Sequence, residues 1–148
     1  MNSSSVMVRP LNSELWDQAV ALVASAGLPV ADLQAGKQNL LGAFVHHELV
    51  GTAGTELYGE VALVRSVAVA AAHRREGIGS ALYAALEDHA RKEGVVQLIL
   101  LTETAADYFQ SKGYQPVSRE TLPDSIQSTA EFTGLCPVSA VAMKKLLM

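Results

Sequence analysis

Val67-Ala68-Val69-Ala70-Ala71-Ala72-His73-Arg74-Arg75-Glu76-Gly77-Ile78-Gly79-Ser80-Ala81-Leu82 runs from an apolar strand, through a basic glycine loop, into an amphipathic helix. A strand that empties into two glycines and a helix start leaves several backbone N–H groups unpaired, with the positive end of the helix dipole behind them. Such a loop is an anion cradle: Gly77 and Gly79 lack a Cβ and let a pyrophosphate approach the backbone, while Arg74 and Arg75 neutralise its charge. The spacing excludes two common cradles. After Gly77-Ile78-Gly79 the third glycine of the dinucleotide fingerprint is replaced by Leu82, and no Gly-Lys-Ser or Gly-Lys-Thr of a nucleotide-triphosphate loop is present.

Outward from this loop the pattern is that of alternating strands and helices. Residues 61–69 form an apolar run broken only by Arg65 and Ser66, which predicts a central strand covered on both faces. Downstream, Leu82, Ala85, Leu86 and Ala90 follow helical spacing up to Gly94, and residues 96–101 are another buried strand. Strand, helix, strand in that order implies a right-handed parallel crossover. Upstream, residues 6–9 read as a first strand, residues 13–26 as a helix stopped by Gly27-Leu28-Pro29, and residues 40–45 and 49–55 as a hairpin turning at His46-His47-Glu48. One more helical turn is expected within residues 30–36. Toward the end lie a short helix over residues 105–112, strands at 114–117 and 139–147, and between them a polar stretch, 119–137, read as a loop near the active site with a helix start at Pro123.

The 148 residues suffice for one domain with a continuous core, and with 49% apolar and 18% charged residues the chain is a folded protein with no bilayer-length apolar run. A net charge of −4 with scattered basic residues argues against a nucleic-acid partner, and nothing argues for a membrane one. The first residues lack a secretion signal and Cys136 is the single cysteine, so a cytoplasmic location is expected. Exposed strand edges leave a homodimer open.

Arg74-Arg75-Glu76-Gly77-Ile78-Gly79 resembles the Arg/Gln-x-x-Gly-x-Gly/Ala pattern of the GCN5-related N-acetyltransferases (GNAT), and Tyr108-Phe109-Gln110-Ser111-Lys112-Gly113-Tyr114 resembles a second segment of that family. Residues 100–105, Leu122-Pro123 and 136–140 are similar to the acetyltransferases encoded in arsenic-resistance operons and, more distantly, to amino-acid N-acetyltransferases. The resemblance implies an α/β fold: a mixed, mostly antiparallel sheet with a parallel pair between the fourth and fifth strands, flanked by helices. It implies acetyl-CoA as co-substrate, no metal, and acetyl transfer by direct attack of a primary amine. The acceptor so implied is a small amino-acid-like molecule, an organoarsenical toxin being one example. A non-catalytic acyl-CoA sensor and a protein N-acetyltransferase are the alternatives.

By the same resemblance Val67, Ala68 and Val69 flank the acetyl-pantetheine arm, and a backbone N–H there stabilises the oxyanion. The coenzyme contacts run on through Arg74, Arg75, Glu76, Gly77, Ile78, Gly79 and Ser80. The acceptor ammonium must lose a proton, and Glu103 at the end of the fifth strand is the first candidate base, ahead of Glu60, His46 and His47. Phe109 stands where the family usually places a tyrosine acid, with Tyr108 one residue earlier, so Tyr108 is either the acid or a rim aromatic. Arg65, a buried charge, must pair with a protein carboxylate or a substrate anion, and it is assigned to the substrate with Ser66, Thr102 and Thr104 adding hydrogen bonds. Cys136 reads as a small buried hydrophobe.

Overall fold

The computed structural model describes residues 6–74 and 76–147. A seven-stranded sheet, in the order β1-β2-β3-β4-β5-β7-β6, is built from β1 (Val6–Pro10), β2 (Asn39–Val45), β3 (Glu48–Tyr58), β4 (Val61–Val69), β5 (Gln97–Thr102), β6 (Gln115–Pro116) and β7 (Val141–Leu146). Every neighbouring pair is antiparallel except β4 and β5, which are parallel. The helices are α1 (Trp16–Ser25), α2 (Ile78–Lys92), α3 (Ala106–Ser111) and α4 (Asp124–Gln127). No helix among the described residues is long and apolar enough to cross a membrane.

The β2–β3 hairpin turns on His46 and His47, at φ 51° and 68°, the double positive φ that matches the twist of paired strands. The expected helical turn within residues 30–36 is absent; that stretch is irregular chain with one isolated bridge between Ala35 and Gln38. Its anchor is the ion pair of Asp32 with Arg65 of β4.

β4 is central and covered on both faces. Ala62 and Val64 pack with Ile78, Leu82, Leu86 and Ala90 of α2, whereas Leu63 packs with Ile99, Ala142, Leu122 and Ile126 on the other side. Each fully buried Leu or Ile contributes roughly 1.5–3 kcal/mol. α2 sits close to the sheet because Gly51 faces it: a Cβ there would lie 2.7 Å from Leu82 Cδ1.

β4 departs from a regular strand on both of its edges. Its ladder with β5 runs only from Val61↔Gln97 to Leu63↔Ile99, so beyond Leu63 the two strands part. On the other edge the register with β3 slips between Gly54↔Arg65 and Thr52↔Ala68, where Ser66 takes φ 58°. This β-bulge is pinned from β3 by the buried Thr52 hydroxyl, which donates to the Ser66 carbonyl at 2.7 Å.

Candidate active site

Where β4 parts from β5 the opening divides into two cavities. One, of about 570 Å³, is lined by residues 67–69 of β4, His73, Arg74, the helix start at residues 77–80, Ala105 and Tyr108. The other, of about 500 Å³, is bounded by Gly27 to Pro29, Arg65 to Val69, Arg74, residues 101–105, Glu131, Cys136 and Ala140. Val67, Ala68, Val69, Arg74 and Ala105 line both. The free edge of β4 is therefore a wall common to two chambers.

The first chamber ends on the glycine loop. Gly77, at φ 81°, caps α2 in the left-handed conformation, and the first bond there is Ala81 N–H to the Gly77 carbonyl, so among the described residues no acceptor takes the N–H groups of residues 78–80, which face the anion site. Ile78 is buried and anchors the helix, while Gly79 faces open space bounded by Val69 and the Tyr108 hydroxyl. Arg74 is exposed and its Nε donates to the Val69 carbonyl at 3.2 Å; Glu76 is exposed and bonded to His73 at 3.2 Å. Arg75 lies outside the described residues. Burial holds the Tyr108 phenol above its ordinary range, and the nearby Ser80 only partly offsets it. Phe109, in contrast, is in the core against Tyr83 and Tyr114. The one-residue offset thus turns Tyr108, not Phe109, toward the cavity.

The second chamber is carboxylate-rich. Arg65, whose side chain has no exposed surface, does not meet the expectation of a free cation for a substrate. Its Nη1 donates to Asp32 at 2.6 Å and Glu56 at 2.7 Å, its Nη2 to Asp32 at 2.8 Å and the Pro29 carbonyl at 3.3 Å, and its Nε to the Ser66 hydroxyl at 3.2 Å. A guanidinium has five N–H donors, so none is left over. Glu131 completes the surround, 3.4 Å from Nη2. The partners of Arg65 are protein carboxylates, not the substrate anion expected.

Asp32 is pushed up by burial, but its hydrogen bonds and charge attraction to Arg65 outweigh this and hold it below the ordinary carboxylate range. Glu56 is further engaged by the Tyr58 hydroxyl at 2.6 Å and the Gln38 amide at 3.3 Å. Glu131 behaves differently: burial, with repulsion from Asp32 and Glu56, outweighs Arg65 and raises its carboxyl to about 7. The Cys136 thiol stands beside Glu131, and burial together with that carboxylate pushes it up to about 12. It is half-buried on the chamber lining, not the buried hydrophobe expected.

Glu103 is exposed at the mouth of this chamber. The Thr102 hydroxyl accepts from Ala105 N–H at 2.9 Å and so closes the turn into α3, while Thr104 stands exposed on the lining. The Ser66 hydroxyl is held by Arg65. Glu60, His46 and His47 line neither chamber. Sequence reasoning missed Glu131, hidden in the stretch read as a polar loop; α4 and a wide helical turn, Glu131–Leu135, carry it inward.

The family profile described as Acetyltransferase (GNAT) family matches residues 10–114, a span that includes the bulged strand, the glycine loop and Tyr108. The chain belongs to this family. Among curated proteins it is 31% identical over 85 residues to YyaT of Bacillus subtilis (strain 168), a match covering 55% of this chain and 57% of that one. Among solved structures it is similar to Neisseria gonorrhoeae N-acetylglutamate synthase, complexed with coenzyme A and L-arginine, at 19% identity and a TM-score of 0.80. That match covers 96% of this chain and 33% of the synthase. Rv2747 of Mycobacterium tuberculosis, in complex with CoA and NLQ, matches at 20% identity and a TM-score of 0.78, covering 96% of this chain and 99% of that one. At these identities the structures share the GNAT fold. This chain spans little more than half of YyaT and a third of the synthase.

Proposed function

We propose that the protein transfers an acetyl group from acetyl-CoA to the primary amine of a small acceptor by direct attack. The observation that carries this reading is the shared wall: two chambers meet along Val67, Ala68 and Val69, one ending in an anion cradle and the other in buried polar groups. The cradle suits the coenzyme pyrophosphate, the groove beside β4 its pantetheine arm, and the second chamber the acceptor. The amine nitrogen attacks the thioester carbonyl, whose oxygen becomes an oxyanion held by backbone N–H on the free edge of β4, and the C–S bond breaks to release thiolate. A thiol of ordinary pKa ~8.5 is a good leaving group, so Tyr108 need only assist its protonation. An acyl-cysteine route is disfavoured, because Cys136 at about 12 holds almost no thiolate at neutral pH. An amino-acid-like acceptor, an organoarsenical included, needs a cation for its acid group; Arg65 is saturated by protein partners, and the exposed Arg74 on the shared wall also borders the coenzyme cradle.

The test joins calorimetric titration with acetyl-CoA to a thiol-release assay over a panel of primary amines. Binding and release with at least one amine are expected, and Gly79→Trp, whose indole fills the gap between Val69 and Tyr108, abolishes the binding. Absence of acetyl-CoA binding, or binding untouched by that substitution, overturns the reading; binding without turnover across the panel makes the protein a sensor.

A further inference from the structure

Resting on that reading, we propose that Glu131 receives the proton of the acceptor ammonium, and that the chamber around it selects amines carrying no carboxylate or other anionic group. Arg65, Arg74, Glu103 and Glu131 line the cavity, and Asp32 and Glu56 stand behind Arg65, so around it four carboxylates face two guanidiniums. Among the described residues Arg65 is the one cation in its interior, fully buried and facing three carboxylates, those of Asp32, Glu56 and Glu131. Glu103 adds a fourth at the mouth, and Arg74 lies on the wall shared with the coenzyme groove, bonded to Val69. A substrate anion here would meet a spent guanidinium and surplus negative charge. A cation would meet the complement it needs.

Within the cluster the carboxylates are not equivalent. Asp32 holds Arg65 through two short bonds, and Glu56 is shared among Arg65, Tyr58 and Gln38. Among the described residues the Glu131 carboxylate makes only the longer 3.4 Å contact to Arg65, with the Cys136 thiol beside it, yet it is 4% exposed and lines the cavity. It is the buried carboxyl with the least fixed partnership and the one whose environment raises its proton affinity toward neutrality, where a general base works best. The groups facing it are Arg65 from β4, Glu56 from β3, Asp32 from the chain before β2, and Cys136 from its own loop, with Glu103 beyond Cys136.

Protons and bonds balance along the reaction. An ammonium entering the chamber favours the ionised form of Glu131, gives it one proton and becomes a neutral amine. The nitrogen lone pair forms the N–C bond, the C–S bond breaks, and the second nitrogen proton neutralises the departing thiolate through Tyr108 or solvent. Glu131 then returns its proton to water. Glu103, exposed and without a hydrogen-bond partner among the described residues, is the weaker base on this geometry.

The experiment uses the whole chain, acetyl-CoA and matched pairs that differ only by a carboxylate: 1,4-diaminobutane against ornithine, and tyramine against tyrosine. The amine of each pair is expected to show at least ten-fold higher kcat/KM, with kcat of the wild type rising along a limb near pH 7. Glu131→Gln is expected to lose that limb and about 10²–10⁴-fold in kcat while calorimetry shows unchanged acetyl-CoA affinity. A preference for the amino acid of either pair, or a limb that persists in Glu131→Gln or moves with Glu103→Gln instead, overturns the inference while leaving acetyl transfer standing. Should Glu131→Gln not fold, the matched pairs on the wild type still decide. Failure of acetyl-CoA to bind, or of any amine to release thiol, sinks the proposed function instead.

Discussion

Replacing Arg65 by methionine removes the counter-charge of the carboxylate cluster while keeping an unbranched chain of similar reach. Asp32, Glu56 and Glu131 then face one another in a site whose guanidinium had no exposed surface. Breaking a buried ion pair from one side costs about 3–5 kcal/mol, against about 5–15 kcal/mol of stability for a typical domain. At roughly 2–4 °C per kcal/mol for a chain of this size, the melting temperature falls by on the order of 10 °C. The loss must depend on pH, and its sign comes from the native groups. Asp32 lies below its ordinary value of 3.8 when folded, so in the wild type it contributes stability that is present above that pH and fades as acid protonates the folded carboxyl. In Arg65→Met that contribution vanishes, and the crowded carboxyls rise above their ordinary values. Each then opposes folding increasingly as pH climbs through roughly 4 to 7. The difference between variant and wild type is thus small near pH 4 and large at pH 8. Urea unfolding followed by fluorescence of the one tryptophan, Trp16, measures it at both ends. Equal losses at the two pH values, or no loss, would refute the assignment of Arg65 as the internal counter-ion.

Four other outcomes are expected. Thr52→Val deletes the hydroxyl that pins the Ser66 carbonyl, leaving a buried acceptor at a cost of about 1–3 kcal/mol in chemical denaturation, and weakens acetyl-CoA binding by loosening the bulge. Leu82→Ala empties core beneath α2 and costs about 2–5 kcal/mol, read as a lowered melting temperature. Tyr108→Phe keeps the ring on the groove but removes the phenol beside Gly79; thiol release slows less than ten-fold at pH 8, where the leaving thiolate needs little help. Glu131→Gln gains stability relative to wild type as pH rises from about 4.5 to 7. A carboxyl raised to about 7 opposes folding across that window by ~3 kcal/mol, offset in part by the lost attraction to Arg65 and measured by parallel thermal melts.

The glycine-loop chamber was legible because its geometry is local. Two glycines, a strand before them and a helix after them lie within a few residues, and backbone N–H groups do the work, so side-chain contacts from elsewhere are not needed. The parallel β4–β5 pair was legible for the same reason, as one strand-helix-strand unit. The carboxylate-lined chamber was not. An arginine inside an apolar run announces that it needs partners, but Asp32 lies 33 residues away and Glu56 nine, and Glu131 comes from beyond α4. Nothing periodic marks residues 119–137; their polar composition reads as loop, and Glu131 is buried only because Phe132, Leu122 and Ile126 pack on the sheet face beside Arg65. Tyr108 shows the opposite error of scale. One residue of helix is a large rotation, yet only the packing of Phe109 against Tyr83 and Tyr114 decides which ring turns inward.

The two irregularities of β4 answer one geometrical demand. A strand fully paired on both edges has no N–H to offer a reacting carbonyl, and a strand left unpaired along its whole length forfeits the ladder that holds it in the sheet. β4 resolves this by position: residues 61–63 pair with β5, and the remainder leaves that edge open while β3 continues to hold the other. The bulge at Ser66 adds the twist that turns the open edge outward, with Thr52 securing the displaced carbonyl. It also sets Arg65 and its carboxylates on one side of the break and Val67 to Val69 on the other. The two chambers therefore share a wall because a single residue shifts register, and on the proposed reaction a substitution that straightens β4 at Ser66 disturbs acetyl-CoA binding and amine turnover together.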